Sequence, residues 1–407
     1  MATLPHGFFG GGDAQELSPG TLFIPSFANA AAFVTRDGVV LVDCGHEMFG
    51  GRIHGALRQH TDLPVHTIIF THGHVDHAFG ALAFDEEARE RGWPRPRRVG
   101  HRLVAERFAR YQKTRGLNEH INAVQFGMPV RFPDRYPEID LAYEDRLSLE
   151  IGGETFELFH ARGETDDATW VWSPSRGAVC TGDFFIGSSP NCGNPQKVQR
   201  YPDDWARTLR AMAEKTPRIL LPGHGPAITG EAEVTAALTE TAEYLESLVN
   251  ETLARMNRGE RASTIARDVA PPPHLTGRSY LEPLYDRPEF IVRNLLRLYG
   301  GWWNGNPAEL LPAREDALAR EIAALAGGVE PLVSRGRSLL ATDLVMACHL
   351  AEWAALAAPS DRGALTLKRD AFKARAESET SLMGRNIFTR AASEAEEALA
   401  KLGRPLP

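Results

Sequence analysis

Cysteine is scarce in this chain, and long apolar runs are missing from it. The four cysteines among 407 residues (Cys44, Cys180, Cys192 and Cys348) show no paired spacing and no Cys-x-x-Cys. That excludes a disulfide framework and a thiolate metal clip, and it predicts reduced thiols in a cytoplasmic setting. No segment approaches the length of a membrane span, and the start MATLPHGFFGGGDAQELSPG has neither a basic beginning nor a continuous apolar stretch. Neither membrane insertion nor export is therefore expected. Positive charge is also in deficit. A formal net charge of −8 is the wrong sign for a general nucleic-acid binder, whose partner is a polyanion. What remains, 43% apolar and 24% charged residues, is the composition of a globular chain long enough for a large core and two domains.

From Thr21 to about Phe185 short apolar runs alternate with turn signals, which is sheet-forming sequence. The stretch FANAAAFVTRDGVVLVDCG reads as a strand, a turn at Asp37-Gly38 and a second strand ending at Asp43. His66–Phe70 reads as a buried strand, Ala81–Arg91 as a helix, and two further hairpins are expected around Gly152-Gly153 and Ser175-Arg176-Gly177. From Glu231 onward Leu238, Ala242, Leu245, Val249 and Leu253 recur at helical spacing. Helix is expected to dominate after that, with Leu344–Ala358 and Ala371–Ala400 as later segments and the proline-rich Asp268–Gly277 as a connection.

The chemistry concentrates in FTHGHVDHAFG, where His72, His74, Asp76 and His77 follow the apolar run directly. Three histidines and an aspartate in so few residues are too many metal-ligating side chains for a turn. His72 and His74 point the same way, while Asp76 and His77 can swing to a second centre, so one loop can feed two metals. Two divalent ions need about six protein ligands and a bridging group. Glu164 in HARGETDD, Asp183 in CTGDFF and His224 in LLPGHGP each follow an apolar run that would end at the rim of a sheet. Burying this set without metal would leave unpaired charges costing several kcal/mol each. Asp43 either orients a ligating histidine through its other ring nitrogen or serves as a turn residue. His160, four residues before Glu164, is a candidate to stand behind a ligand, whereas the remaining histidines are expected to be structural.

The order THGHVDH, CTGD, PGHG resembles the metallo-β-lactamase superfamily over roughly residues 20 to 230. The third motif reads His160-Ala161-Arg162-Gly163-Glu164, where many members carry His-Thr-x-Gly-His, and a glutamate there is similar to the alkyl sulfatases of the superfamily. YGGWWNGNPAEL and ESETSLMGRNIFTRAASEAEEAL resemble the dimerisation domain that follows the metal domain in those enzymes. Two features depart from that family: its bridging carboxylate is usually Glu where this chain has Asp183, and no further C-terminal domain resembling lipid carriers is expected.

The resemblance implies an α/β fold, an αββα sandwich over residues 1–259, followed by an all-α helical dimerisation domain over 260–407. It implies two zinc ions per chain, one held by His72, His74 and Glu164 and the other by Asp76, His77 and His224, with Asp183 between them. Asp76 and Asp183 are then the catalytic carboxylates. The alkyl sulfatases contact sulfate through an Asn and an Arg, for which Asn191 and Arg200 are the nearest matches, Arg200 standing five residues before Trp205. The family's histidine before the Asn is replaced by Pro190. The expected activity is hydrolysis of sulfate esters of small organic alcohols by a homodimer, through a water activated by the metals. The alternatives are another hydrolase on the same scaffold, such as a lactonase, thioesterase or phosphodiesterase, and a non-hydrolytic di-iron redox or sensor protein. The di-iron motif carries Glu where His74 stands, which counts against the last.

Overall fold

The computed structural model describes residues 12–403; the N-terminal stretch read above as lacking a leader lies, up to residue 11, outside the described residues. A seven-stranded sheet runs, in spatial and chain order, Gln15–Ser18, Thr21–Ile24, Ala30–Thr35, Gly38–Val42, Val65–Ile69, Arg97–His101 and Leu141–Tyr143. A six-stranded sheet runs Ile228–Thr229, Ile219–Pro222, Ala178–Gly182, Thr169–Ser173, Glu154–His160 and Arg146–Ile151. The hairpins expected at Asp37-Gly38, Gly152-Gly153 and Ser175–Gly177 are present as antiparallel pairs.

The strands are apolar on both faces, and the period-2 alternation of side chains sorts them into separate cores. Leu22, Ile24, Ala30, Ala32, Val39 and Leu41 point to one side, where they meet Ile53, Leu57 and Phe84 of helices Glu47–Arg58 and Ala81–Arg91. Phe23, Ala31, Phe33, Val40 and Val42 point to the other, where they meet Phe156, Leu158, Val171, Cys180 and Leu221 of the six-stranded sheet. On that sheet's far face Trp170, Trp172, Val179 and Leu220 pack against Trp205, Leu238, Leu245 and Ile291. The result is a helix, sheet, sheet, helix sandwich. Each fully buried side chain of this size contributes about 1.5–3 kcal/mol relative to exposure.

The described residues form two compact units, one of residues 12–118, 131–260 and 264–299, the other of 119–130, 261–263 and 300–403. Packing thus divides differently from the expected boundary at 259/260. Ile265, Val269, Leu275, Leu281, Ile291 and Leu295 all belong to the apolar core of Trp205 and Leu238, so residues 264–299 pack as part of the sandwich.

The second unit is helical: Glu315–Leu325, Val329–Leu339, Leu344–Ala357, Arg362–Glu377 and Leu382–Leu402. The single helical segment expected over Ala371–Ala400 is two helices. Ser381 caps the second through Gly384 N, and Glu379 accepts from Ser381 N, so side chains offer the backbone a way out of the helix. Helix Leu344–Ala357 buries Ala347, Ala351, Ala354 and Ala355, with Leu350 and Trp353 packed partly buried against the same core, while Val345 and Met346 are exposed.

Candidate metal centre

Strand Gly38–Val42 ends at Asp43, which takes a left-handed backbone with φ 58°, a conformation that Asp tolerates better than most side chains. That turn aims the carboxylate across the sheet. Oδ1 accepts from Thr71 N at 2.8 Å, and Oδ2 accepts from Thr71 Oγ1 at 2.6 Å and lies 2.7 Å from His77 Nδ1. Of the two roles open to Asp43, orienting a histidine is the one the geometry supports. Thr71 passes the order on, its Oγ1 lying 3.0 Å from His72 Nδ1.

A second anchor holds the loop from the other side. Asp167, fully buried, accepts from Gly73 N at 2.9 Å, and Arg107 Nε donates to both its carboxylate oxygens at 2.9 Å. Arg107 also bonds Asp166. His160 places Nε2 2.9 Å from Asp166 O and stacks on His101 with ring centroids 3.7 Å apart. It thus stands behind the Asp166–Arg107 pair.

The six-stranded sheet supplies the opposing donors. Asp183 follows strand Ala178–Gly182, and His224 follows strand Ile219–Pro222, its parallel neighbour. Gly223 must lack a side chain, because a Cβ there would stand 2.2 Å from Asp183 Oδ1. Asn29 Nδ2 donates to Pro222 O at 3.1 Å and Gly225 O at 2.9 Å, and His224 Nδ1 meets Phe27 O. With Nδ1 so engaged, His224 turns Nε2 inward.

The seven candidate ligands converge into two groups, His72, His74, Glu164 and Asp183, and Asp76, His77 and His224, each with donor atoms within 4.8 Å of one another. Asp183 faces both: Oδ2 lies 3.5 Å from His72 Nε2, and Oδ1 lies 3.2 Å from His77 Nε2 and 3.5 Å from His224 Nε2. Burial and neighbouring His77 lower the His72 pKa to about 4. Burial, with His72 beside it, lowers His74 as well. Burial also opposes charge on His77, but Asp183, Asp43 and Asp76 outweigh it and raise its pKa. Burial raises the Glu164 pKa against the pull of Arg200, whereas His77 and His224 overcome burial and hold Asp183 low. Glu164 Oε2 and Asp183 Oδ1 are buried with no hydrogen-bond donor. Imidazole nitrogens converging with carboxylate oxygens form the donor set of a hard-to-borderline divalent cation. The residues fit a metal.

Asn191 and Arg200 do come to this site, by way of Glu164. Asn191 Nδ2 donates to Glu164 Oε1 at 2.6 Å, and Arg200 bonds the same oxygen and Asn191 O. Arg200 is 3% exposed, so it is not a surface arginine. Its Nε and Asn191 Oδ1 are buried with no hydrogen-bond partner. Sequence reasoning missed Arg107 and Asp167, although Asp167 stands within the quoted HARGETDD; a buried arginine is invisible without its partner. It also missed Lys197 and Tyr285. Burial, then Arg200, lowers the Lys197 pKa to about 8 against the pull of Glu164 and Asp76. Tyr285 is raised by burial first and then by Glu164, with Asp76 and Asp183 adding to it. Trp302 and Trp303 are 73% and 45% exposed.

Residues 24–224 match the metallo-beta-lactamase superfamily and residues 261–398 match alkyl sulfatase dimerisation. A linear primary-alkylsulfatase of a Pseudomonas species is 24% identical over 385 residues, covering 89% of this chain and 73% of that protein. An (R)-specific secondary-alkylsulfatase of Pseudomonas is 23% identical, covering 81% of this chain and 54% of its own length. An alkyl/aryl-sulfatase of Saccharomyces cerevisiae is 22% identical, covering 68% and 47%. The chain therefore spans only about half the length of the latter two relatives. Among solved structures, the stereoselective inverting sec-alkylsulfatase Pisa1 from Pseudomonas superposes with a TM-score of 0.85 at 19% identity, covering 95% of this chain and 66% of that one. With both domains matched in sequence and the sandwich matched in structure, the chain belongs to the metallo-β-lactamase superfamily and is alkyl sulfatase-like, a metal domain joined to an alkyl sulfatase dimerisation domain.

Proposed function

We propose that this protein is a binuclear zinc hydrolase that cleaves sulfate esters of alkyl or related organic alcohols and works as a homodimer. The observation that carries this reading is the ligand group His72, His74, Glu164 and Asp183, with a carboxylate where many superfamily members have histidine, in a chain that also carries the alkyl sulfatase dimerisation domain. One zinc is assigned to His72, His74 and Glu164, the other to Asp76, His77 and His224, and Asp183 lies between them. Bound there, the metals supply Lewis acidity and a water of lowered pKa.

The side chains do the rest. Asp76, with 19% of its side chain exposed, is the least buried of the three carboxylates and is assigned the proton of the attacking water. Arg200 Nε, buried without a partner, is a donor for a sulfate oxygen, and Asn191 stands beside it; guanidinium hydrogen bonds to an oxyanion are charge-assisted. Asp76, Glu164 and Asp183 set three negative charges against the four of two divalent ions, leaving a net charge of about +1, which suits a monoanionic sulfate ester better than a phosphate monoester of nearly two charges.

The test is a panel of linear alkyl sulfate, aryl sulfate, lactone and phosphodiester presented to the zinc-loaded chain. Turnover of the alkyl sulfate at a kcat/KM well above the others is expected. Turnover of lactone or phosphodiester alone would move the assignment to another hydrolase of the superfamily.

A further inference from the structure

Glu164 owes its orientation to a short arm, residues 189–200, and that arm is itself held from behind at three points. Ser189 N donates to Glu282 O at 3.0 Å. Gly193 N donates to the carboxylate of Asp286, which is 0% exposed and also accepts from Arg287 N at 2.7 Å. At the far end Asn294 Nδ2 donates to Arg200 O at 3.0 Å, and Gln199 Nε2 donates to Asn294 Oδ1 at 2.9 Å. The arm has no slack between these points. A Cβ on Gly193 would lie 2.1 Å from Ile291 N, so the loop is pressed onto the first turn of helix Pro288–Gly300. Between the anchors, Asn191 and Arg200 both bond Glu164 Oε1, and this leaves Oε2 without a donor.

We infer that Asp286 and Asn294 are positioning residues for Glu164, forming with the 189–200 arm a clamp that presents Oε2 to the metal of the His72, His74 group. The inference rests on the proposed role of Glu164 as a metal ligand. Its physical basis is rotational. A glutamate has three side-chain torsions, and ordering such a chain costs up to about 1.5–2 kcal/mol. Two donors on one oxygen remove most of that freedom before metal arrives, but only if the donors are themselves fixed. Asn191 and Arg200 sit on a segment without helix or strand, so their backbone must be fixed from outside. Asp286 and Asn294 do so, and they come from the region matched to alkyl sulfatase dimerisation. This gives residues 264–299 a function beyond filling the apolar core.

The experiment uses the full chain loaded with zinc, elemental analysis after graded chelation, and the variants Asn294→Ala, Asp286→Asn, Arg200→Ala and Asn294→Ala/Arg200→Ala. Arg293→Ala, on the exposed side of the same helix, is the control. One zinc is expected to be lost at about ten-fold lower chelator in each single variant, equivalent to about 1.4 kcal/mol, while the second ion and the control are unchanged. The double variant is expected to be no worse than Arg200→Ala, because both act through one carboxylate. The thermal midpoint of the metal-free chain is expected to stay nearly constant in Asn294→Ala, which decides the matter alone if Asp286→Asn fails to fold. Loss of both ions together, or additive effects in the double variant, would overturn the clamp and leave the hydrolase reading intact. A wild-type chain that takes up no zinc would overturn both, and zinc coupling without sulfate-ester turnover would leave the clamp standing alone.

Discussion

Asp43 holds His77 from behind, Oδ2 to Nδ1 at 2.7 Å, through a backbone twisted into the left-handed region at φ 58°. Removing that hydrogen bond frees the imidazole to rotate and lowers its basicity. Asp43→Asn keeps a side chain that tolerates this backbone and so isolates the lost charge from the strain. Metal affinity is expected to fall about 10–100-fold in either Asp43→Asn or Asp43→Ala, measured by competition with a chelating dye.

Asp183 faces both candidate ligand groups, with His72, His77 and His224 all within 3.5 Å of its oxygens. Elemental analysis is expected to return two zinc ions per wild-type chain, and chelation to abolish activity. Asp183→Asn removes the shared anion, and a loss in kcat of at least about 100-fold is expected, with a much smaller change in thermal midpoint since the loop is a small part of the core.

The sandwich was legible in the sequence because it rests on local signals, alternating apolar runs and Gly turns; of the seven candidate ligands, His72, His74, Asp76 and His77 stood out by their short offsets, and Glu164, Asp183 and His224 by the motifs that carry the resemblance. What could not be read is long-range. Arg107 and Asp167 lie 60 residues apart, and Asn294 reaches Arg200 across 94; no periodicity links such pairs. The packing division near residue 299 was hidden for a related reason, since the proline-rich stretch at 268–277 resembles a linker and yet Val269 and Leu275 are core residues. In helix Leu344–Ala357 the exposed Val345 and Met346 lie apart from the buried alanines, a division that apolar spacing alone does not give, because small and large apolar residues carry the same signal.

Arg200 lies between Glu164 and its own orphaned Nε. Arg200→Ala is expected to lower kcat/KM for an alkyl sulfate at least ten-fold, about 1.4 kcal/mol. Arg200→Lys is expected not to restore it, because an ammonium cannot reproduce the guanidinium's several fixed donors. Steady-state kinetics unchanged in both variants would remove Arg200 from the site.

Arg107 is fully enclosed with Asp167, Nε to both carboxylate oxygens at 2.9 Å. Arg107→Met strands a buried carboxylate and is expected to cost about 3–5 kcal/mol of stability, read as a lowered midpoint in urea unfolding. Asp167 also holds Gly73 N, so metal affinity is expected to fall in parallel.

The helical unit exposes Leu311 at 90% and Leu325 at 82%, apolar area that suits a symmetric interface. Light scattering is expected to give about twice the 44.8 kDa chain mass. Leu311→Lys with Leu325→Lys is expected to shift the population towards half that value. A strictly monomeric, fully active wild type would sink the homodimer.

The two sheets follow one another along the chain rather than interleaving, and the donors divide with them: His72, His74, Asp76 and His77 precede the turn at residues 144–145, while Glu164, Asp183 and His224 come after it. A chain severed at that turn would leave neither fragment with all the members of either candidate ligand group. Metal uptake would then report the reassembly of the two pieces, and the protein would lend itself to fragment complementation, with the added metal as both adhesive and signal.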